Sequence, residues 1–398
     1  MTNQRKLLHI VGGGVGQLPL VSKAREMGLR VLVTDMYEDP PCRSAADHFV
    51  RINTVDMEST LAAARQYGID AITTDQTDVA MPTVAYVAER LSLPGIGYET
   101  ALRFSNKRIM REGLAGICPE NVPGFRSFAS REECTAYIRG QKGRLIVKPT
   151  DSQGSRGVHP IPNNDAPEHL AEDAFSNSRS GQVFVETFVQ GYEIAVETVV
   201  VDREPHLLAV SRKDHYPEND AIDMRVNFPA GLSEELERKV RELNSRIVKG
   251  LGLPFGLTHA EYKVDDERVW IMEIAARGAG SGVSGYIVPF LTGFDTCSAL
   301  VGFAFGAKPE ISIADYRARR AVLEFLPFCH GRVRRISIAP EVCDISLSLG
   351  INVQVGDVIG SILDSRYRPG FFIVGAENDL DLQEKTARVR EMIAVECE

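Results

Sequence analysis

From Leu7 to Leu93 the chain alternates short apolar runs with amphipathic stretches, and no other feature constrains its fold as much. Leu7-Leu8-His9-Ile10-Val11 reads as a buried strand, Gly12-Gly13-Gly14-Val15-Gly16 as a tight turn, and Leu18 to Met27 as a helix closing at Gly28. Arg30 to Thr34 follows as a second strand ending at Asp35. The alternation continues through Phe49-Val50-Arg51-Ile52, the helix Glu58 to Tyr67, Ala71-Ile72-Thr73-Thr74 and the helix Val79 to Leu91. This predicts a small doubly wound α/β unit ending near Leu93-Pro94-Gly95. The glycine turn invites a dinucleotide reading, but Gly12-x-Gly14 leaves Gln17 where a third glycine belongs, and the register from Gly14 puts Pro19 there. A tight strand-to-helix connection is the simpler account.

With 398 residues, 44% hydrophobic and 25% charged, the chain can bury more than one core, which predicts two to four domains. A net charge of −9 without a long basic run argues against nucleic acid and anionic membranes as partners and favours a diffusing small molecule. Seven cysteines are scattered with no Cys-x-x-Cys and no histidine cluster, so neither a zinc site nor a disulfide framework is expected. Without a signal-like segment or an apolar run of membrane length, the sequence reads as that of a soluble cytoplasmic protein.

The chemistry gathers around an expected hairpin. An apolar alternating run carries Glu261, a polar turn Val264-Asp265-Asp266-Glu267-Arg268 follows, and a second run carries Glu273 before Arg277 and a glycine-rich exit. Two carboxylates facing each other repel unless a cation lies between them, and oxygen ligands of this kind suit Mg²⁺. Arg277 adds a planar charged fork for a phosphate or carboxylate oxygen. The competing account is an ordinary hairpin with two surface acids.

Upstream, Ser105-Asn106-Lys107 reads as a capped helix start with cations on its first turns, placed to meet an anion. Lys148 ends a strand-like run and precedes a loop, Ser152 to Gly157, rich in glycine and serine and able to fold over a polyphosphate. This loop lacks the Gly-x-x-x-x-Gly-Lys-Ser/Thr form, which excludes a Walker-type reading of this segment. The segment from Glu186 through Val189 to Glu193 exposes edge carbonyl and N–H groups between two acids, suited to a purine and its ribose. His215 and Arg225 lie in polar stretches where a substrate carboxylate could be met, solvated loops being the alternative. The helix Glu234 to Leu251 places Leu236, Val240, Leu243, Ile247 and Leu251 on one face and reads as packing. From Ala321 the pattern is one of short strands at 321–326, 331–338, 351–357 and 371–375, with a last helix from Leu380 to Val395.

Lys107, Lys148-Pro149 with its glycine loop, Glu186-x-x-Val189-x-Gly191-x-Glu193, Glu261 and Glu273-x-x-x-Arg277, in that order, resemble the ATP-grasp superfamily of carboxylate–amine ligases, most of all its L-amino-acid ligase branch. The resemblance covers nearly the whole chain. It implies an ATP-grasp fold: a Rossmann-like domain at 1–104, two α+β subdomains clasping ATP at 105–190 and 191–320, and a β-rich domain at 321–398. It also implies an amide-forming reaction through an acyl phosphate, with ATP and Mg²⁺ (or Mn²⁺), a small carboxylate and an amine as substrates, and a homodimer as the default assembly. Carried over residue by residue, Lys107, Lys148, Ser152, Gly154, Ser155 and Gly157 would meet the phosphates, Glu186 and the Val189 backbone the adenine, and Glu193 the ribose. Glu261 and Glu273 would hold the metal, Glu273 bridging two ions, and Arg277, Lys148, Arg225 and His215 are the catalytic candidates. The family commonly carries Asn two residues after the second acid, whereas this chain has Ala275. That departure keeps open an ATP-binding sensor of low activity, beside a bicarbonate-using carboxylase of the same superfamily.

Overall fold

The computed structural model describes residues 5–152, 156–161, 167–217, 219–265, 267–360 and 368–398, the side chains of 219–221 excepted. Chain order begins with β1 (Leu7–Val11), α1 (Leu18–Glu26), β2 (Arg30–Asp35), β3 (His48–Arg51), α2 (Met57–Tyr67), β4 (Ala71–Thr73) and α3 (Met81–Leu91). The four strands form a parallel sheet in the order β3-β2-β1-β4. β1, β2 and β4 are buried and mostly apolar, while the edge strand β3 is half-exposed. Asp35 closes the glycine turn, its Oδ2 accepting the Gly13 N–H at 2.7 Å.

Next come α4 (Tyr98–Arg103), α5 (Lys107–Ile117), β5 (Phe125–Phe128), α6 (Arg131–Gly140), β6 (Leu145–Pro149), β7 (His159–Ile161), α7 (Pro167–Ser176) and β8 (Val183–Thr187). Asn106 caps α5, its side chain accepting from the Arg108 and Ile109 amides. The strands pair antiparallel as β5-β8-β6-β7, over their own small core of Phe128, Cys134, Ile138, Val147 and Val185.

The main body follows: β9 (Tyr192–Val201), β10 (Glu204–Tyr216), β11 (Asn219–Phe228), α8 (Glu234–Leu251), β12 (Gly256–Val264), β13 (Val269–Ala275), α9 (Val288–Thr292) and α10 (Thr296–Ala304). Helix α8 buries the face expected of it, and its polar interior contact is satisfied: Tyr262 donates to Asn244 at 2.8 Å, which donates to Thr198 at 2.9 Å. The chain ends with β14 (Arg320–Phe325), β15 (Gly331–Ile338), α11 (Val342–Ile345), β16 (Ser346–Ile351), β17 (Val358–Ile359), β18 (Gly370–Ala376), α12 (Asp379–Met392) and β19 (Ile393–Cys397). One eight-stranded sheet runs β13-β12-β9-β10-β11-β14-β18-β16. Three strands beyond residue 320 thus extend the sheet that carries the acids.

Three local expectations differ from the structure. The strand expected at 351–357 is a turn, β16 ending at Ile351 and β17 starting at Val358. The last helix stops at Met392, and Ile393–Cys397 instead pairs with β15, in keeping with the β-branched Ile393 and Val395. Cys397 lies 68 residues from Cys329 in sequence yet is bonded to it as a disulfide, Cα to Cα 5.7 Å. No single described helix is long and apolar enough to cross a membrane.

Candidate active site

Strands β12 and β13 pair antiparallel with Glu261 directly opposite Glu273. Their hairpin turn is fixed by Asp265, whose Oδ1 accepts the Glu267 and Arg268 amides at 2.9 and 2.7 Å. The acids open onto a cavity of about 450 Å³ lying between the β5–β8 sheet, the large sheet and the loop after β4. Lys107, Lys148, Ser152, Val189, Glu193 and Arg277 line it as well. Sequence positions from 107 to 277 therefore converge on one space.

The charges in it are paired in two ways. Glu186 is 1% exposed and takes the Arg111 Nε and Lys148 Nζ, each at 2.5 Å. Arg111 also donates to the Ile271 and Met272 carbonyls at 3.1 and 2.7 Å, tying α5 to β13. Burial works to raise the Glu186 carboxyl, but the Arg111 and Lys148 charges overcome it and hold it down to about 2. This corrects the expectation that the Glu186 side chain meets adenine: its carboxylate is sealed in an ion triad and does not line the cavity. Thr187, Phe188 and Val189, which follow it, do line the cavity. Gly191, beside Val189, has φ +128, and an added Cβ would lie 2.4 Å from the Val264 carbonyl, so only glycine fits there.

The second set is more open. Lys107 bonds Glu273, and Lys213 bonds Glu261 and lies 2.7 Å from Glu193. His259 sits between Glu197 at 2.6 Å and Glu261 at 3.3 Å. Burial works to lower the His259 imidazole, yet the Glu197 and Glu261 carboxylates carry it up to about 9. His215, 3.5 Å from Glu193 and 3.4 Å from Asp223, is likewise carried up to about 9 against its own burial. His215 does not line the cavity; it backs Glu193 and Asp223, which do. Hard carboxylate oxygens of Glu261 and Glu273 facing each other, each with an oxygen left over, suit Mg²⁺ or Mn²⁺.

Arg277 is held from another part of the chain. Its Nε lies 2.5 Å from Asp78 Oδ1, in the loop that leaves β4. Beside it the Gly278 amide donates to Asp75 Oδ1 at 2.9 Å, and an added Cβ on Gly278 would strike Ser284 Oγ. Burial pushes the Asp75 carboxyl up to about 6. Arg225, in contrast, stands away from the cavity, its Nε 3.5 Å from Glu324, while Val226 and Phe228 on the other face of β11 line it. Alternation from Val226 turns it aside, and the bulge in the β10–β11 pairing between Asp214 and His215 breaks that alternation before Asp223, which lines the cavity. Ser152 lines the cavity and donates to the Arg156 carbonyl at 3.1 Å, whereas Gly157 packs against Pro149 and Asn177. Gly154 and Ser155 lie outside the described residues.

Arg111, Lys213, Asp78, His259 and Arg368 were not among the residues expected here. Arg111 lies four positions after Lys107, one helical turn, and that spacing was a usable signal. Asp78 follows a parallel strand at its carboxyl end, where α/β ligands meet their sheet. Arg368 lines the cavity from the strand-rich end, its guanidinium 3.7 Å over Phe325. It follows no pattern that a single sequence reveals.

Residues 142–285 match the model of the ATP-grasp domain. The formate-dependent phosphoribosylglycinamide formyltransferase of Parasynechococcus marenigrum is 23% identical over 329 residues, 81% of this chain and 83% of that protein. The alanine–anticapsin ligase of Bacillus subtilis is 27% identical over 256 residues, 56% of this chain, and the match spans only 52% of that ligase. Among solved structures, L-amino acid ligase from Bacillus licheniformis superposes with a TM-score of 0.82 at 23% identity, covering 100% of both chains.

Proposed function

We propose that this chain, whose residues 142–285 match the ATP-grasp domain model, is an ATP-dependent ligase that joins a small carboxylate, an amino acid, to an amine, releasing ADP and phosphate. The observation that carries this reading is the cavity itself: Lys107 and Lys148 on one wall, the register-paired Glu261 and Glu273 on the next, and Arg277 beyond them. That order runs from nucleotide to acceptor. In it, Lys107, Lys148 and the segment from Ser152 take the phosphates, while the backbone from Glu186 to Val189 takes the base and Glu193 the ribose.

Glu261 and Glu273 would hold Mg²⁺, which when bound neutralises phosphate charge and orients the terminal phosphoryl group for transfer. The carboxylate substrate attacks that phosphorus and ADP leaves, giving an acyl phosphate. Arg277, aimed by Asp78, holds the transferred group through its fork. The amine then attacks the acyl carbon and phosphate leaves, forming the amide. No protein nucleophile is needed; the residues position charge and keep water out. Such an enzyme works in the cytoplasm, where ATP is supplied.

The match to a formate-dependent enzyme over 83% of its length favours formate as a second candidate carboxylate. The test is ADP release with Mg-ATP across amino acids, formate and bicarbonate, each alone and with amines, beside Lys148→Ala and Glu273→Ala. Release that requires an amino acid with an amine, and disappears in both variants, is expected. Release with bicarbonate alone, or ATP binding with no release for any pair, overturns the amide-ligase reading.

A further inference from the structure

Arg368 is a buried cation that its surroundings leave unsatisfied. It is 8% exposed, sits two residues before β18, and lines the cavity from the strand-rich end. Its backbone is fixed: the Asn352 side-chain amide donates to the Arg368 carbonyl at 3.2 Å, and the Asn352 backbone N–H to the Pro369 carbonyl at 2.8 Å. Its guanidinium is not. The group lies 3.7 Å over the Phe325 ring, and its Nε is buried with no hydrogen-bond partner among the described residues. The acid nearest to it, Asp223, keeps Oδ2 3.9 Å from Nη2, beyond hydrogen-bond length. Asp223 is also shared, with Lys213 Nζ at 3.6 Å and His215 Nε2 at 3.4 Å.

Arg277 and Arg111 differ in this respect, since Asp78 and Glu186 bond them directly. Burial lowers the Arg368 guanidinium from its ordinary range, and the Asp223 charge offsets only part of that. A buried charge without hydrogen bonds is costly to keep, and an anionic ligand entering the cavity would supply them. The wall beside it narrows the choice of ligand. Val226 on β11 pairs with Leu323 on β14, and Phe228 and Phe325 follow each by two residues, so all four share the face that lines the cavity. One charged fork next to an apolar wall suits a molecule with a single anionic end and an apolar side chain. A phosphate dianion fits less well, because Lys213 is already bound to Glu193 and Glu261, and Asp223 opposes a second negative charge. The carboxylate that is phosphorylated fits less well too. It needs an oxygen free to attack phosphorus, whereas a guanidinium fork engages both oxygens.

We infer that Arg368 anchors a carboxylate that the amine substrate carries away from its reacting nitrogen, and that the wall of Val226, Phe228, Leu323 and Phe325 receives that substrate's side chain. The inference rests on the amide-ligase reading and deepens it: the amine is itself an apolar amino acid, and the product keeps one free carboxylate at Arg368. Arg277 and Arg368 thereby divide the two substrates, the first serving the transferred phosphoryl group and the second the group that does not react.

The test separates this anchor from turnover. Calorimetry on the full chain with Mg-ADP compares L-alanyl-L-phenylalanine, whose one carboxylate is the group that does not react, with its carboxyl-terminal amide. The dipeptide should bind about 30-fold or more tightly than the amide, the scale of a lost partner in a buried charge pair. Arg368→Met should erase that difference by weakening the dipeptide alone. Its melting temperature without ligand should not fall, because the change removes a buried cation that lacks a bonded partner. An Arg368→Met that melts lower and keeps the acid-to-amide ratio marks a structural arginine and overturns the inference. So do equal affinities on the unaltered protein, no binding of the dipeptide, or tighter binding of its phosphonate analogue. Should Arg368→Met fail to fold, Arg368→Lys, which keeps the charge and loses the fork, decides by the same ratio. Dipeptide binding that depends on Arg368, in a protein that releases ADP with no substrate pair, sinks the ligase reading and leaves the anchor standing. ADP release that is as fast with phenylalaninamide as with phenylalanine does the reverse.

Discussion

Two charged clusters sit within one cavity wall of each other and are built on opposite principles. The Arg111–Glu186–Lys148 triad is closed: Glu186 is sealed from solvent and Arg111 is 2% exposed, with further bonds to the β13 backbone. The Glu261–Glu273 cluster is open: each acid has one oxygen tied to a cation and the other facing the cavity. Ions that are buried and fully paired fix geometry, and their loss is felt as lost stability. Ions left half-satisfied at a surface that can receive a ligand are available for binding, at the cost of some local stability. The first cluster holds α5, β8 and β13 together so that the second can stay open.

The largest effect should come from breaking the closed cluster. Glu186→Gln leaves two buried cations without their shared counter-ion, and urea unfolding should show a loss of about 3–5 kcal/mol. A loss below about 1 kcal/mol would mean the triad is wetter than its burial indicates. Glu273→Gln should do the reverse. Removing one charge from the open pair should lower ADP release by about 10²–10³-fold, the scale of a lost electrostatic contact in the transition state, with little change in unfolding. If Glu273→Gln unfolds the protein while Glu186→Gln does not, the contrast between the clusters is the wrong way round.

Asp78→Asn tests how Arg277 is aimed. The amide keeps the shape but not the charge, and kcat should fall about 10-fold or more while the KM for ATP stays put, because the arginine remains but its fork is no longer fixed. An unchanged kcat with a raised KM for the carboxylate would instead mark Asp78 as a substrate contact. A smaller effect is expected from pH. His215 and His259 are held up to about 9, above their unfolded value, so their pairing with Glu193, Asp223, Glu197 and Glu261 contributes fully below about pH 6.5 and is lost as pH rises through about 9. Thermal melts of the metal-free protein should therefore fall across that window. Glu197→Gln, which removes a partner of His259, should flatten part of the slope.

Much of this was legible in the chain. The period-two pattern in Thr258 to Glu273 set both acids on one hairpin, and β12 and β13 pair them directly. The capped start at Asn106 and the strand ending at Lys148 were likewise local, fixed by a side chain and its nearest neighbours. What could not be read is what depends on elements meeting in space. Arg277 and Asp78 are 199 residues apart, and Arg111 and Glu186 are 75 apart. Asp78 does not stand out locally, and Glu186 stands out only within its own segment, which says nothing of Arg111. The same limit hid the pairing of β19 with β15, a partner 55 or more residues away in sequence.

Arg225 draws the finest line between structural and functional charge. In sequence it stands two residues after Asp223, which lines the cavity across a bulge in the pairing, and one residue before Val226, which lines it too. The strand turns it to the opposite face, where it meets Glu324 across β14. Glu324 has a better partner in Arg390, which reaches both of its oxygens at 2.5 and 2.6 Å. Arg225→Ala therefore leaves no carboxylate unpaired, and the change in unfolding should stay within about 1 kcal/mol, as for a long, weak ion pair. ADP release should be unaltered. A clear loss of activity with stability intact would show that β11 shifts when substrate binds and brings this guanidinium into the cavity, so that the open cluster extends further than the unliganded geometry shows.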